Sequence, residues 1–161
     1  MYSRACPGFF ISMNPKEINA YYDQTLHQYR SVWKLDSHLG IHYGYWNRHT
    51  PNLESAVRQM NEVLARHSGF KSDEHILDMG CGVGGSAFYL CENRGLEVTG
   101  ISINQRQIEL AKERAKKLFS DRTHFLCADY LNSGLDSESY DGIWALETIC
   151  HCPDKNDFIK E

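Results

Sequence analysis

Residues 75–90 read HILDMGCGVGGSAFYL, and this stretch decides the fold. A short apolar run ends at Asp78, and a glycine-rich turn follows it. The glycines of the turn are Gly80, Gly82, Gly84 and Gly85. Beyond them the apolar residues recur at helical spacing, which predicts a buried strand, a turn and the start of a helix. Glycine permits backbone conformations that a Cβ forbids and lets a ligand approach the backbone closely. The first turn of the helix offers unpaired N–H groups to an electron-rich ligand.

The acid before the glycines separates two classes of cofactor that use such a turn. Gly80, Gly82 and Gly85 satisfy the dinucleotide pattern G-x-G-x-x-G, so that pattern alone leaves a dinucleotide open. The string L-D-x-G-C-G-x-G-G resembles motif I of the class I S-adenosylmethionine (SAM) methyltransferases. A carboxylate at Asp78 suits such a ligand, which carries a sulfonium and an ammonium group, whereas it would repel a pyrophosphate. The simpler alternative is that Asp78 caps a helix.

The composition is that of an ordinary globular protein. The 161 residues are 42% hydrophobic and 24% charged, with a formal net charge of -4, so no basic excess predicts a nucleic-acid partner. No apolar run approaches the roughly 18 residues that cross a bilayer. The six cysteines lack the spacing of a disulfide framework, which predicts reduced thiols and a cytoplasmic protein. Neighbouring side chains in the Cys-His-Cys triplet at 150–152 point apart, so we expect no metal site.

Two helices are predicted before the glycine turn, and they form an N-terminal helical lid segment over residues 14–70. Residues 1–13 are predicted to be a disordered or non-native extension. Asn14 is the predicted N-cap of the first helix, with Pro15 at its first position and Glu17 completing a capping box. Thr50 is the predicted N-cap of the second helix, whose apolar stripe we expect to pack against the sheet. The stripe contains Leu53, Ala56, Val57, Met60, Val63 and Leu64.

Strands and helices alternate over residues 71–161, which predicts an α/β domain with a Rossmann-like, doubly wound parallel sheet. Strands are predicted around 76–78 and over 96–103, 123–128 and 140–147. A helix capped by Asn104 is predicted after the second strand; its inward residues are Ile108, Ala111, Ala115 and Leu118. Ligands of such sheets bind at the carboxyl ends of the strands. The candidates at these ends are Asp78, Ser102, Asp129 and Glu147.

Three further stretches resemble the small-molecule branch of the SAM methyltransferases. That branch holds sterol C-methyltransferases, tocopherol methyltransferases, glycine/sarcosine-type N-methyltransferases and cyclopropane fatty acid synthases. The stretches are YYDQT at 21–25 with IHYGYW at 41–46, VTGISINQRQ at 98–107, and YDGIWALETICHCPD at 140–154. Most class I members end the second strand with an acid for the ribose, but this chain has Ser102. That departure argues against NAD and suits the branch, whose members often add a glutamine five residues on, here Gln107.

The resemblance implies that the strand ends bind SAM. The residues assigned to the cofactor are Asp78, Gly80, Cys81, Gly82, Ser102, Ile103, Gln107, Ala128, Asp129, Tyr130 and Leu146. Among them, the glycine turn would lie under the methionine moiety and Ser102 with Gln107 would hold the ribose. Asp129 would accept a hydrogen bond from the adenine amino group. The simpler alternatives are that Gln107 is an ordinary first-turn helix residue and Asp129 a plain loop acid.

The predicted reaction is in-line transfer of the SAM methyl group to a small-molecule or lipid-like acceptor. The candidate catalytic residues are Glu147, His151 and Tyr22, and the candidate substrate residues are Tyr43, Tyr45 and Trp46. Methylation of a nitrogen or oxygen acceptor requires a base, for which Glu147 and His151 are the candidates. Methylation of an alkene carbon has a cationic transition state, which the faces of aromatic rings would stabilise. Tyr21 or Tyr22 would close over the sulfonium. Packed roles without ligand contact are the alternatives for these aromatics and for His151. C-, N- and O-methylation stay open.

Two other functions are alternatives. The first is a SAM-binding but catalytically inactive fragment or module, because the family fold continues with three later strands that we expect to be missing at the C-terminus of this chain. The second is an NAD(P)-dependent oxidoreductase, against which Asp78 and Ser102 argue. A homodimer is the one protein assembly that we consider.

Overall fold

The computed structural model describes residues 14–118 and 121–161. The helices are α1 (Pro15–Ser31), α2 (Leu35–His38), α3 (Leu53–His67), α4 (Gly85–Arg94), α5 (Gln105–Lys117) and α6 (Lys155–Lys160). The strands are β1 (His75–Met79), β2 (Glu97–Ser102), β3 (Thr123–Cys127) and β4 (Gly142–Trp144), and a 3-10 turn spans Ile149–His151. The extension predicted for residues 1–13 lies outside the described residues, as does Cys6. Within the described ranges, no helix combines the length and apolarity that crossing a membrane requires.

The four strands form one parallel sheet in the order β3-β2-β1-β4. Asp78 of β1 lies opposite Gly100 of β2 and Trp144 of β4. Because all the strands run the same way, their carboxyl ends meet at one edge. The chain adds β2 and β3 on one side of β1 and then returns to place β4 on the other side. The ligand crevice of a doubly wound sheet lies at such a reversal. The predicted Rossmann-like parallel sheet is therefore confirmed.

The two faces of the sheet carry separate apolar clusters. Ile76, Val98, Phe125 and Trp144 point to one face and pack with residues of α4 and α5. Leu77, Met79 and Ile101 point to the other face. They pack with Ala128, Tyr130, Leu135, Tyr140 and Phe158. Side chains alternate along a strand, so β1 and β2 contribute to both clusters and their last residues are held from both sides.

The lid segment packs on the glycine turn. Helix α1 begins with the predicted capping box, in which Oδ1 of Asn14 accepts the N–H of Glu17 at 3.1 Å and Oε2 of Glu17 accepts the N–H of Asn14 at 2.7 Å. Leu26 of α1 and Leu35 of α2 bury their side chains against Val83 of the turn. The apolar stripe of α1 therefore meets the chain where the ligand crevice opens.

The second long helix begins later than predicted. The Thr50 hydroxyl closes a turn instead of capping a helix, because its oxygen accepts the N–H of Asn47 at 2.7 Å and donates to the carbonyl of Asn47 at 2.9 Å. Asn52 caps α3, with its Oδ1 accepting the N–H of Ser55 at 2.9 Å. Helix α3 packs against α4 and α2. Its buried residues are Ala56, Val57, Asn61 and Ala65, while Leu64 of the predicted stripe is exposed.

Two other boundaries differ from the prediction. Strand β4 ends at Trp144, three residues early, because the chain leaves the sheet and turns through Glu147 at a φ of 56°. Leu118 was predicted to face inward but is exposed, since α5 ends before it and it forms the C-cap. The other inward residues predicted for α5 are buried as expected; they are Ile108, Ala111 and Ala115.

The glycine turn yields a stability prediction. Gly80 has a φ of 91°, and a Cβ built on it would lie 1.9 Å from Oγ1 of Thr148. Gly69 has a comparable φ of 76° but open space around the added atom. We expect Gly69→Ala to lower the free energy of unfolding by about 1 kcal/mol through backbone strain alone. Gly80→Ala should cost roughly 1–3 kcal/mol more because the side chain is also overpacked. Urea unfolding measures both, and equal losses would contradict the close packing at Thr148.

Candidate functional site

A cavity of about 530 Å³ opens at the carboxyl edge of the sheet. Its walls are the residues that follow the four strands, together with α1 and residues 39–42. The predicted site residues that line it are Tyr22, Asp78, Gly80, Cys81, Gly82, Ser102, Ile103, Gln107, Asp129, Tyr130, Leu146, Glu147 and His151. A volume of this size is typical of small-molecule and cofactor sites. Ala128 does not line the cavity, because its side chain packs with Leu77, Met79 and Ile101 under the sheet.

Backbone hydrogen bonds hold the glycine turn in place. The carbonyl of Ile101 accepts the N–H groups of both Gly80 and Cys81 at 2.9 Å, and the turn closes with the N–H of Gly84 on the carbonyl of Cys81. At Gly82 a Cβ would meet nothing closer than Ile41 at 3.7 Å, so the backbone there borders open space of the cavity. A bound molecule can therefore touch the peptide groups of the turn.

Asp78 is the buried carboxylate of the site. It is 2% exposed, and its Oδ2 has no hydrogen-bond partner among residues 14–118 and 121–161. Burial raises the pKa of Asp78 to about 7, because a charge away from water is disfavoured. An unpaired buried acceptor is costly, and a ligand that brings an ammonium group into the cavity would supply the missing donor. The unpaired carboxylate oxygen thus fits the ammonium group of the methionine moiety of SAM.

The end of β2 carries a buried polar pair. The Ser102 hydroxyl donates to Oε1 of Gln107 at 3.0 Å and accepts the N–H of Asn104 at 3.2 Å. Oδ1 of Asn104 accepts the N–H of Gln107 at 2.9 Å and so caps α5 as predicted. All three side chains are buried and line the cavity. The sequence predicted the partnership of Ser102 and Gln107, and the structure brings the two into contact; their contact with a ribose stays a prediction.

The end of β3 forms a tight turn at the cavity wall. Oδ1 of Asp129 accepts the N–H of Leu131 at 2.9 Å, and the carbonyl of Asp129 accepts the N–H of Asn132 at 3.0 Å. These bonds fix the carboxylate while leaving Oδ2 open to a further donor. Tyr130 packs edge to face on Phe158, with 5.3 Å between the ring centroids. Burial raises the pKa of Tyr130 to about 12, so its hydroxyl stays protonated.

Beyond β4, Glu147 connects the sheet to the lid segment. Its φ of 56° is in the left-handed region, which is costly for a residue with a Cβ and often marks a functional position. Both carboxylate oxygens accept the backbone N–H of Tyr43, at 3.1 and 3.2 Å. The carboxylate therefore reaches across the cavity mouth and ties down the extended stretch after α2.

A tyrosine and a histidine meet inside the cavity. The Tyr22 hydroxyl lies 3.0 Å from Nε2 of His151, and the two rings pack edge to face. Burial raises the pKa of Tyr22 to about 12 and lowers that of His151 below its usual 6.5. At neutral pH the imidazole is therefore uncharged and the phenol protonated, so Tyr22 donates to Nε2. Two residues that were predicted separately thus form one hydrogen-bonded pair.

The aromatic residues predicted to meet the substrate are not part of the cavity wall. Tyr43 is 70% exposed, Trp46 58% and Tyr45 45%, and the lining residues from this stretch are Gly40, Ile41 and His42. The physical reason is that Glu147 binds the backbone N–H of Tyr43. Because side chains alternate along an extended backbone, His42 points into the cavity and Tyr43 points to solvent. The wall of this cavity therefore contains His42 and not the three aromatic residues, whose contact with a substrate stays a prediction.

His42 is a site residue that the sequence analysis missed. It is 6% exposed, and its Nδ1 lies 2.9 Å from the carbonyl of Tyr43. Its Nε2 lies 3.5 Å from Asn61, whose Oδ1 accepts the Ser86 hydroxyl at 2.8 Å. Burial lowers the pKa of His42, so the ring is neutral. The polar Asn61 in the middle of an apolar helix face was the signal available in the sequence.

The thiols near the cavity do not converge. Sγ of Cys150 donates to the carbonyl of Glu147 at 3.0 Å, and Sγ of Cys152 donates to that of Asp154 at 2.9 Å. Within the described part of the chain, no group of three or more His, Cys, Asp or Glu side chains is arranged to hold a metal ion.

Comparison with known proteins identifies the family. Residues 77–161 match the sequence pattern of a family described as a methyltransferase domain. The chain belongs to this methyltransferase family. The resemblance predicted from the glycine turn is confirmed, and SAM is the cofactor of the family. The match covers β1 to α6, which is the part of the chain that holds the four strand ends.

The alignments with individual relatives include most of this chain but only about half of each relative. The 27-O-demethylrifamycin SV methyltransferase of Amycolatopsis mediterranei is 33% identical over 148 residues, 91% of this chain and 53% of that protein. Cycloartenol-C-24-methyltransferase of Arabidopsis thaliana is 29% identical over 145 residues, 89% of this chain and 42% of that protein. The chain thus spans about half the length of the curated relatives it matches.

A solved structure shows that this fold hosts more than one reaction. The [4+2]-cyclase SpnF superposes with a TM-score of 0.84 at 23% identity, covering 92% of this chain and 54% of that one. That likeness concerns the fold, so the reaction has to be argued from the site.

The unpaired acid yields a prediction about stability and pH. The folded-state pKa of Asp78 lies above its ordinary value of 3.8, so ionisation of this carboxyl lowers the stability of the fold as pH rises from about 4 to 7. We expect Asp78→Asn to unfold at the same free energy as wild type near pH 4 and to be more stable by roughly 2–4 kcal/mol at pH 8. Asp121→Asn, at an exposed position, is the control. A difference that does not change with pH would contradict the raised pKa.

Proposed function

We propose that the protein transfers the methyl group of SAM to a hydroxyl group of a small-molecule acceptor. The observation that carries the proposal is that a glycine turn, four strand ends and a tyrosine–histidine pair meet in one cavity. Family membership supports the methyl donor, and the pair at Tyr22 and His151 supports the acceptor chemistry.

Three of the four strand ends would each hold one part of the cofactor. The unpaired Oδ2 of Asp78 suits the ammonium group of the methionine moiety, and the peptides at Gly80 to Gly82 suit its backbone contact. The Ser102–Gln107 pair offers buried polar groups to the ribose hydroxyls. Oδ1 of Asp129 is used in the turn, so its Oδ2 can accept a hydrogen bond from the adenine amino group. When bound, SAM supplies an electrophilic methyl group, and the protein's share is alignment and exclusion of water.

Tyr22 and His151 would take the proton that a hydroxyl acceptor loses. The Tyr22 hydroxyl donates to Nε2 of neutral His151. As the acceptor oxygen attacks, its proton passes to the oxygen of Tyr22 while the proton of Tyr22 passes to His151. The pair ends as tyrosine and imidazolium, and the charge balance is kept because the sulfonium charge disappears in the same step.

A carbon acceptor is the second candidate. The cycloartenol relative from Arabidopsis is named for methylation at C-24, and the relative from Amycolatopsis for an O-demethylated rifamycin. A cationic transition state at carbon would need aromatic faces, and Tyr43, Tyr45 and Trp46 are exposed to solvent instead of lining the cavity. This difference favours oxygen over carbon.

The surroundings of the protein follow from its cysteines. Cys81, Cys127, Cys150 and Cys152 carry no disulfide. Unbridged thiols are typical of a reducing compartment, so we propose a cytoplasmic protein.

A homodimer is the assembly we propose, and light scattering of the purified protein would test it.

The cofactor is tested by calorimetric titration with S-adenosylhomocysteine (SAH) and, separately, with NAD. We expect heat of binding with SAH and none with NAD. Asp129→Ala should weaken SAH binding roughly tenfold, because it removes a hydrogen bond to the adenine amino group. Asp136→Ala, an exposed acid in the following loop, is the control and should bind like wild type. Binding of NAD in place of SAH would overturn the proposed cofactor.

The base is tested by the rate of methyl transfer to a panel of hydroxyl-bearing acceptors. We expect His151→Gln to lower kcat by roughly 10²-fold or more while SAH affinity stays the same. In wild type the rate should rise with pH and reach half of its maximum at a pH below 6.5, since burial lowers the pKa of His151. Tyr22→Phe should lower kcat as well, whereas Tyr21→Phe, which alters an exposed neighbour, should not. Undiminished kcat in His151→Gln would contradict the transfer of the acceptor proton through Tyr22 to His151.

A further inference from the structure

Asn104 lies between the strand ends and the lid segment. Its side chain is 3% exposed and lines the cavity. Its Oδ1 caps α5 by accepting the N–H of Gln107, while its Nδ2 faces away from α5 and donates to Oδ1 of Asp23 on α1 at 3.0 Å. The same Nδ2 lies 3.5 Å from the carbonyl of Asn19. One buried amide therefore joins the end of β2 to the helix that covers the cavity.

Helix α1 depends on few contacts for its position. It buries only Ile18 and Leu26. Among the described residues, two hydrogen bonds between side chains fasten it to the segments that follow the strands, Asp23 with Asn104 and Tyr22 with His151. These two bonds start from adjacent residues and reach opposite sides of the cavity, after β2 and after β4. Loss of either would let α1 swing away from the cavity at little apolar cost.

We propose that Asn104 is a positioning residue that couples occupancy of the ribose subsite to closure of α1 over the cavity. The inference rests on the proposed function, because Ser102 and Gln107 form a ribose subsite only if the cavity binds an adenosine-bearing cofactor. The Ser102 hydroxyl accepts the N–H of Asn104 and donates to Gln107. A nucleoside that orders Ser102 and Gln107 therefore also fixes Asn104, and through it Asp23. Closure of α1 then slows release of the nucleoside.

The chemistry of the amide distinguishes this role from helix capping. Aspartate caps a helix as well as asparagine does. Only the amide, however, combines an acceptor for the helix with a donor for a carboxylate on the far side. Capping of α5 alone therefore does not explain why an amide stands at position 104, whereas the bond to Asp23 does.

Three variants of the full protein separate the two roles. N104D keeps the capping oxygen but sets a carboxylate against Asp23. D23N keeps an acceptor for Asn104 and is the matched single control. The double variant N104D/D23N reverses donor and acceptor across the pair and restores the hydrogen bond. The measurements are the dissociation rate of SAH in a competition experiment and hydrogen exchange of residues 15–31 with and without SAH.

We expect N104D to release SAH roughly tenfold faster than wild type and to exchange faster in α1, since it loses a hydrogen bond to a charged group. D23N and the double variant should stay within about twofold of wild type. If N104D behaves like wild type, or if the double variant does not recover, the coupling is wrong. If wild type is folded but binds no SAH, the proposed function fails on its own. Exchange in the ligand-free protein then decides whether the pair holds α1, with faster exchange in N104D and recovery in the double variant supporting it.

Discussion

The carbonyl of Ile101 accepts the N–H groups of Gly80 and Cys81, and the site depends on this shared hydrogen bond. It joins the end of β2 to the first residues after β1, so the glycine turn cannot move independently of the sheet. The glycine turn also carries Val83, on which Leu26 and Leu35 of the lid segment pack. The sheet, the cavity floor and the lid are thus ordered by one carbonyl group whose two lone pairs are both used.

Stability and binding oppose each other at the floor of this cavity. A carboxylate without a partner is retained at Asp78 although its burial raises the pKa to about 7. The same burial raises the pKa of the neighbouring Cys81 thiol, with the charge of Asp78 as the second cause. A fold selected for stability alone would place an amide or an apolar residue there. Local destabilisation of this kind is common where a protein is preorganised for a charged ligand.

The sequence predicted the central architecture well because strong local signals agreed with one another. The glycine turn, the capping residues Asn14 and Asn104, and the alternation of strands and helices all lie where they were expected. Predictions were wrong where two local signals competed. Thr50 and Asn52 are both good N-caps, and only the turn made by Thr50 decides between them. The cavity is also shaped by pairs of residues that are far apart in the sequence, and local spacing does not predict such pairs. Tyr22 and His151, for example, are 129 residues apart. His42 was missed for a related reason, since its inward orientation is imposed by a carboxylate 105 positions further along the chain.

The bond between Glu147 and residue 43 has an evolutionary consequence. The carboxylate binds a main-chain N–H, which every amino acid except proline provides. The anchor of the stretch after α2 is therefore independent of which side chains the stretch displays. Substitution of the exposed rings at 45 and 46, and of the ring at 43 by any residue except proline, therefore leaves this hydrogen bond in place. The rim of the cavity is thus a region where sequence can drift without loss of architecture, the condition under which related proteins come to accept different molecules.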